Sequence, residues 1–197
     1  MNGPLSTEMA RLASLCRVEG TTFRELLSDV GDRRGQALFS LFLSVPFLIP
    51  IPMPGPSGII GPLVMLFGGM MALGRPLWLP KRFLRKRCDG PRFAGALERV
   101  SRVVAWMEKF VKPRGKFMSR SRWVAPFNGG MIAYTGFVLA FPLPNFLPAL
   151  AIVLIAIGIL EEDGLFVALG YLVTFFTTLL LGAAFFLGFE GLTHLLS

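Results

Sequence analysis

The sequence predicts an all-α integral membrane protein with two proline-broken helical hairpins, amphipathic basic helices and one full-length C-terminal transmembrane helix. The 197 residues are 53% hydrophobic and only 16% charged, and every Lys and Arg lies at or before Arg122. Long uncharged apolar stretches such as those after Arg122 are typical of a lipid bilayer. Prolines interrupt two of these stretches, which predicts a helix, a break and a second helix in each. We treat residues 1–197 as a single membrane domain.

Residues 1–35 are predicted to form a cytoplasmic N-terminal segment. Thr22 and Glu25 fit a capping box at a helix start. The apolar residues that follow recur at helical spacing, so a short amphipathic helix is expected to lie on the membrane interface. The first apolar run begins too late for a usual signal peptide.

Residues 36–80 form the first predicted hairpin, with its turn at Pro50, Pro52, Pro54 and Pro56. The arm before the turn, 36–49, is about 21 Å long as a helix, and the arm after it, 57–73, is about 25 Å. Both are shorter than the hydrocarbon core of about 30 Å. Basic residues flank both ends, so both ends are expected in the cytoplasm. The hairpin is therefore re-entrant or barely spans.

Residues 81–122 are a basic cytoplasmic linker with 14 Lys or Arg against three acidic residues. This bias between apolar segments is the positive-inside pattern. It favours contact with anionic lipids over binding of nucleic acid, which the high pI alone would also suggest. Apolar positions at helical spacing between Pro91 and Lys112 predict a second amphipathic helix, with Trp106 at the headgroup level. Packing of this helix against the hairpins is an equal alternative.

Residues 123–164 form the second predicted hairpin, which turns at 142–145 and ends in Glu161, Glu162, Asp163 and Gly164. The stretch 165–189 then has 25 residues, about 37 Å as a helix, which is enough to span a bilayer with some tilt. With the N-terminus in the cytoplasm, this multi-pass arrangement places the C-terminus outside.

The two hairpins align as an internal repeat. Pro50-x-Pro52 falls on Pro142-x-Pro144, and Arg75 falls on Glu161. Paired short, Pro- or Gly-interrupted apolar segments mark the binding site in many transporters. The charge bias favours two repeats with the same orientation in the membrane. An inverted orientation remains an alternative if one of the short arms does not cross the bilayer. A small number of membrane spans can enclose only a small cavity within one chain. We therefore expect a homo-oligomer, with a dimer favoured.

Four motifs together are similar to the ExoD family over most of the chain: Pro-x-Pro-x-Pro-Gly at 50–55, Gly-Arg-Pro-x-Trp-Leu-Pro at 74–80, Pro-x-Pro-Asn-x-x-Pro-Ala at 142–149, and Gly-Ile-Leu-Glu-Glu-Asp-Gly at 158–164. The resemblance implies a protein of the bacterial inner (cytoplasmic) membrane with a link to exopolysaccharide production and to tolerance of alkaline conditions. It implies no catalytic residues.

The residues proposed to bind a solute lie at the two turns: Pro52, Ser57, Gly58, Pro144 and Asn145. If the second arms begin near mid-bilayer, their free amides and positive dipole ends point into one region, which favours an anionic group. Such a group is a small inorganic anion, a carboxylate or a lipid-linked phosphate. The alternative is that Pro and Gly only shape the turns, with Ser57 and Asn145 as helix caps.

The charged residues at the hairpin exits are candidates for a gate: Arg75, Glu161, Glu162 and Asp163. They can pair across the repeat, although solvation is the commoner fate of such charges. Thr174 and Thr178 share a face of the last helix, a pattern that more often packs helices than lines a path.

Catalytic, cofactor and metal sites are not predicted. One His and few acidic residues supply no catalytic set, and the i, i+4 pair Glu190 and His194 offers only two metal ligands. The sequence therefore favours a small transporter or channel. A non-transporting accessory of polysaccharide machinery is the alternative, and a lipid-modifying enzyme has less support.

Overall fold

The computed structural model describes residues 32–48, 54–76, 101–102, 105–106, 121, 123–141 and 145–196. Its helices are α1 (Asp32–Ser44), a 3-10 turn (Val45–Leu48), α2 (Pro54–Ala72), α3 (Ala125–Leu139), α4 (Phe146–Leu160) and α5 (Gly164–Leu196). The predicted all-α class is confirmed within these ranges, where no strand occurs. The predicted N-terminal amphipathic helix lies outside them. In the basic linker the described residues 101–102 and 105–106 are helical.

The four predicted arms correspond to α1–α4, and the predicted transmembrane helix corresponds to α5. Two predicted bounds are wrong: α1 begins at Asp32 and not at 36, and α2 begins at Pro54, so Pro54 and Pro56 are helical and not part of the turn. Helix α5 is longer than predicted, with 33 residues instead of the 25 expected between 165 and 189. Its segment from Gly164 to Phe186 is long and apolar enough to cross a membrane, with a mean hydropathy of 2.1 over 23 residues.

Helix α4 is the centre of the structure. Its sequence, Phe-Leu-Pro-Ala-Leu-Ala-Ile-Val-Leu-Ile-Ala-Ile-Gly-Ile-Leu, is apolar on every face. A helix that is apolar all round is stable only when other helices surround it or lipid does. Residues 151–160 are all buried, because α1, the 3-10 turn, α3 and α5 each pack against α4.

Helices α2 and α3 pack against each other through small residues. Gly61 and Gly68 on α2 face Gly136 and Gly129 on α3. A Cβ added to Gly68 would lie 2.4 Å from the backbone nitrogen of Ala133, so the two backbones are in direct contact. Small residues allow this close approach where lipid supplies no hydrophobic drive for helix association. The order of the contacts makes α2 and α3 antiparallel.

The first turns of α1 set the direction of the other arms. The guanidinium of Arg34 donates to the carbonyl of Leu160 at 2.6 Å, and the side-chain amide of Gln36 donates to the carbonyl of Arg75 at 2.9 Å. Helix α1 is therefore antiparallel to both α2 and α4. We call the end of the bundle with these contacts the charged end, and the opposite end, where α1 and α3 end and α2 and α4 begin, the turn end.

Helices α2 and α4 end at the charged end in the same motif. Gly74 and Glu162 have φ values of 62° and 58°, in the left-handed region. The next residues donate back to the helix, Arg75 to the carbonyl of Met70 and Asp163 to the carbonyl of Gly158, each at 2.9 Å. This is a Schellman motif, which satisfies carbonyls that a helix end leaves without partners.

Replacing Gly68 by Ala is expected to destabilise the protein by about 1–3 kcal/mol, because the new Cβ overlaps the backbone of α3. The matched control is Gly69→Ala, one residue along the same helix, where an added Cβ meets nothing within 4 Å. That control should be neutral or slightly stabilising, since Ala has the higher helix propensity. Thermal unfolding of the purified protein in detergent measures both. Equal melting temperatures for the two variants would contradict the close α2–α3 contact.

Candidate functional site

Ser57 lies in the first turn of α2 and is fully buried at the turn end. Its predicted role as a helix cap is wrong, because α2 already begins at Pro54. Proline is favoured at the first helical position, where its missing N–H costs no hydrogen bond. Gly58, the next residue, is exposed, and an added Cβ there would meet nothing within 4 Å.

Asn145 is the N-cap residue of α4, also at the turn end. Its backbone has φ −80° and ψ −4°, which is helical, and its side chain makes no cap hydrogen bond. The Oδ1 atom is nevertheless buried, and within the described part of the chain it has no hydrogen-bond partner. The predicted position at the start of α4 is correct, but the side chain does not act as the cap. A buried acceptor without a partner calls for a ligand or water.

Ser44 is a third polar residue of the turn end, and the sequence analysis missed it. It is the last residue of α1, its side chain is fully buried, and its Oγ has no hydrogen-bond partner among the described residues. Ser40, one turn earlier, instead donates to the carbonyl of Gln36 at 2.9 Å. The available signal was the four-residue spacing of Gln36, Ser40 and Ser44 within an apolar arm.

The segments that form the turn end contribute polar side chains and no charged ones. The sequence has no charged residue from 45 to 73 or from 123 to 160, so no ionised side chain of these segments balances a bound ion. The antiparallel arms bring Ser57 and Asn145 to the same end of the bundle, and their binding of a solute stays a prediction. Pro52 and Pro144 lie outside the described residues.

The predicted gate residues lie at the charged end, where the described contacts stabilise helix ends. The Oδ1 of the fully buried Asp163 accepts from the backbone N–H of Leu165 at 2.9 Å, which caps α5. Glu162 occupies the left-handed position of the Schellman motif. Arg75 has an exposed side chain, and its backbone carbonyl accepts from Gln36. A gating role for these residues stays a prediction.

A second polar cluster joins α3 to α5. The hydroxyl of Tyr171 donates to Oδ1 of the buried Asn128, and the hydroxyls of Tyr134 and Thr178 are 2.9 Å apart. Thr178 also donates to the carbonyl of Thr174, one turn earlier in α5. Such bonds between apolar helices hold them together in lipid. This agrees with the packing role expected for Thr174 and Thr178. The side chains of Glu190 and His194 lie outside the described residues.

The outer surface of the bundle is apolar. Large apolar side chains are exposed along α2, α3 and α5, among them Ile59, Leu63, Phe127, Phe137, Leu172, Phe175 and Leu179. Trp123, at the charged end just before α3, is 88% exposed. Extended exposed apolar surface is typical of contact with lipid or a partner, and Trp is enriched where a membrane meets water.

Comparisons with known proteins place the chain beside one family. Residues 5–183 match the family described as "Exopolysaccharide synthesis, ExoD". The chain is 35% identical to Protein ExoD of Rhizobium meliloti over 198 residues. This match covers 96% of this chain and 82% of that protein. It is 27% identical over 154 residues to the uncharacterized protein slr1875 of Synechocystis sp., covering 77% and 73% of the two chains. No solved structure matches the chain.

Replacing Glu162 by Gly is expected to stabilise the protein by about 1 kcal/mol, because a left-handed backbone strains any residue with a Cβ. The matched control is Glu161→Gly, which removes the same charge where φ is −93°. Glycine gains nothing at this angle and should cost about 0.5–1 kcal/mol through its greater freedom in the unfolded chain. Melting temperatures of both variants in detergent test this. A loss of stability in Glu162→Gly would show that the carboxylate contributes more than the strain costs.

Proposed function

The chain belongs to the ExoD family of exopolysaccharide synthesis proteins, and we propose that it serves this process as a small membrane transporter or channel. Its proposed solute site is the turn end, the end of the bundle that contains Ser44, Ser57, Asn145 and four helix ends. A role in ion homeostasis under alkaline conditions is part of this proposal.

The observation that carries the proposal is the depth of the turn end. Helix α5 begins beside the end of α4, where Gly158 packs against Val167, and its apolar segment of 23 residues is about 35 Å long. Helices α3 and α4 have 15 residues each, about 22 Å. The end of α3 and the start of α4 therefore lie about 12 Å before the end of the apolar segment of α5. Helix α2, with 19 residues and about 28 Å, extends further than α3, because Gly61 already lies beside Ala140. The exposed side chains of Leu179, Leu180, Phe185 and Phe186 agree with an α5 that continues past the bundle.

Polar groups at this depth need partners that hydrocarbon cannot provide. Irregular backbone inside a membrane occurs where protein buries it or where it lines a wet cavity. The helix ends that flank 49–53 and 142–144 lie at the turn end. The same end holds the oxygens of Ser44 and Asn145, which have no hydrogen-bond partner among the described residues. A solute site that water can reach satisfies these groups, and this is how transporters use broken helices.

The helix polarity at the turn end suits an anionic group. Helices α2 and α4 both begin there, and the first backbone N–H groups of a helix, together with its dipole, attract negative charge. The α2–α3 and α1–α4 contacts hold these starts in one bundle. The solutes proposed are a small inorganic anion, a carboxylate or a lipid-linked phosphate.

We place the charged end at the cytoplasmic face of the bacterial inner membrane. The basic segment 77–120 connects Arg75 to Trp123 in the sequence, and both of these residues are at the charged end. Positive loops remain in the cytoplasm during insertion, and they bind anionic lipids. This multi-pass arrangement has re-entrant hairpins, a cytoplasmic N-terminus and a homodimer as its working unit.

A non-transporting accessory of exopolysaccharide machinery is the second candidate. The observation in its favour is the closed centre of the bundle, because residues 151–160 of α4 are apolar and buried without exception. A scaffold needs no path through this core, and its basic face would recruit partners or lipids.

Anion flux into liposomes that contain the purified full-length protein tests the transporter. The variant Ser57→Ala plus Asn145→Leu removes polar groups at the turn end, and flux should fall at least tenfold. The matched control carries the same two substitution types in α1 and α3, Ser40→Ala plus Asn128→Leu. This control should keep most of the wild-type flux.

Two results would contradict the proposal. Equal loss in both double variants, with both folded, would contradict a site confined to the turn end. Absence of wild-type flux across inorganic anions and carboxylates would remove the transporter and favour the accessory.

A further inference from the structure

We propose that the turn end also binds a monovalent alkali cation, sodium or potassium, through the side-chain oxygens of Ser44 and Asn145. The inference deepens the solute site and rests on that site being reached by water. The N-termini of α2 and α4 alone suggest an anion at this site, and the inference adds a coupling cation.

The two oxygens are the buried side-chain acceptors without a hydrogen-bond partner in the part of the chain that is described. They belong to neighbouring elements, because the 3-10 turn that follows Ser44 packs against α4, whose N-cap is Asn145. Both lie in a region with no ionised side chain. Both atoms lie at the turn end, and each buried acceptor needs a partner that the described side chains do not supply.

The chemistry of these atoms selects the ligand. A carbonyl oxygen such as Asn145 Oδ1 accepts hydrogen bonds and coordinates cations, and it repels an anion. Calcium is normally bound with carboxylates, and zinc and copper prefer imidazole or thiolate, none of which lies between 123 and 160. Neutral oxygens without a carboxylate suit a singly charged cation that keeps part of its water.

The helix ends supply a second source of oxygen ligands. Helix α1, through its 3-10 turn, and helix α3 both end at the turn end, and the last carbonyls of a helix have no partner within it. Transporters with broken helices bind anionic groups at helix starts, and sodium at helix C-terminal ends and unwound carbonyls. The turn end has two ends of each polarity, so it can hold an anion and a cation together.

The test is thermal unfolding of the full-length protein in detergent, in sodium, potassium or choline chloride at equal concentration. Ligands that bind only the folded state raise its melting temperature. We expect a rise of about 3–6 °C in 100 mM sodium or potassium chloride relative to choline chloride, if the Kd for the cation is about tenfold below the salt concentration. No difference between the three salts would overturn the proposal and leave water as the partner of both oxygens.

Ser44→Ala should abolish the cation-dependent shift. The matched control is Ser40→Ala, the same exchange one turn earlier, where the hydroxyl is already bonded to the carbonyl of Gln36. This control should keep the shift. Loss of the shift in both variants, or in neither, would contradict a cation at Ser44.

Asn145→Asp gives a test that does not depend on the fold tolerating Ser44→Ala. An aspartate presents oxygen at both positions, so the result is the same whichever way the amide of Asn145 is turned. The added negative charge should enlarge the cation-dependent shift at least twofold, whereas Asn145→Leu should remove it. An unchanged shift in Asn145→Asp would overturn the assignment.

Flux measurements separate this inference from the proposed function. Anion flux in sodium, potassium and choline buffers should depend on the alkali cation. A cation shift without flux would leave the cation site and remove transport. Flux of equal rate in all three buffers would leave transport and remove the coupling cation.

Discussion

Every helix that ends in an apolar surrounding leaves backbone groups that must find partners, and this requirement organises the molecule. At the charged end the partners come from within the chain. Arg34 holds the last carbonyl of α4, Gln36 holds the segment after α2, and Asp163 caps α5. One helical turn of α1 thus joins the ends of both second arms, and the direction of the whole bundle follows from two side chains.

The turn end meets the same requirement differently. Four helix ends and the side chains of Ser44 and Asn145 lie there, but the sequence places no charge among them. The chain satisfies one end of the bundle with its own side chains, and at the other end two buried oxygens have no partner among the described residues. This contrast, rather than any single residue, distinguishes an end that holds the structure together from an end that can receive a ligand.

The sequence predicted the helices well where composition or proline decides the outcome. The prolines indicated where one arm is followed by the next, although Pro54 and Pro56 belong to α2, and the apolar run after Gly164 located α5. Position along a helix was harder. Ser57 is not a cap, because helix α2 starts at Pro54. Glu162 adopts a left-handed backbone, which the sequence would have indicated only if a glycine stood at this position. Ser44 was missed because a serine in an apolar arm gives no sign of which neighbour it faces. The contact through Gly68 and Gly129 depends on which faces of α2 and α3 meet, and a single sequence does not show this.

The bond from Arg34 to Leu160 joins residues 126 positions apart, and this has a consequence for synthesis in the cell. When α2 has left the ribosome, α4 is still about 85 residues from completion, which takes about 4–17 s at usual elongation rates. During that interval Arg34 has no carbonyl of Leu160 to which it can donate. A half-made chain with polar groups in its membrane segments is a substrate for insertion factors and for quality-control proteases. The yield of this protein should therefore depend on how quickly translation passes through the basic linker.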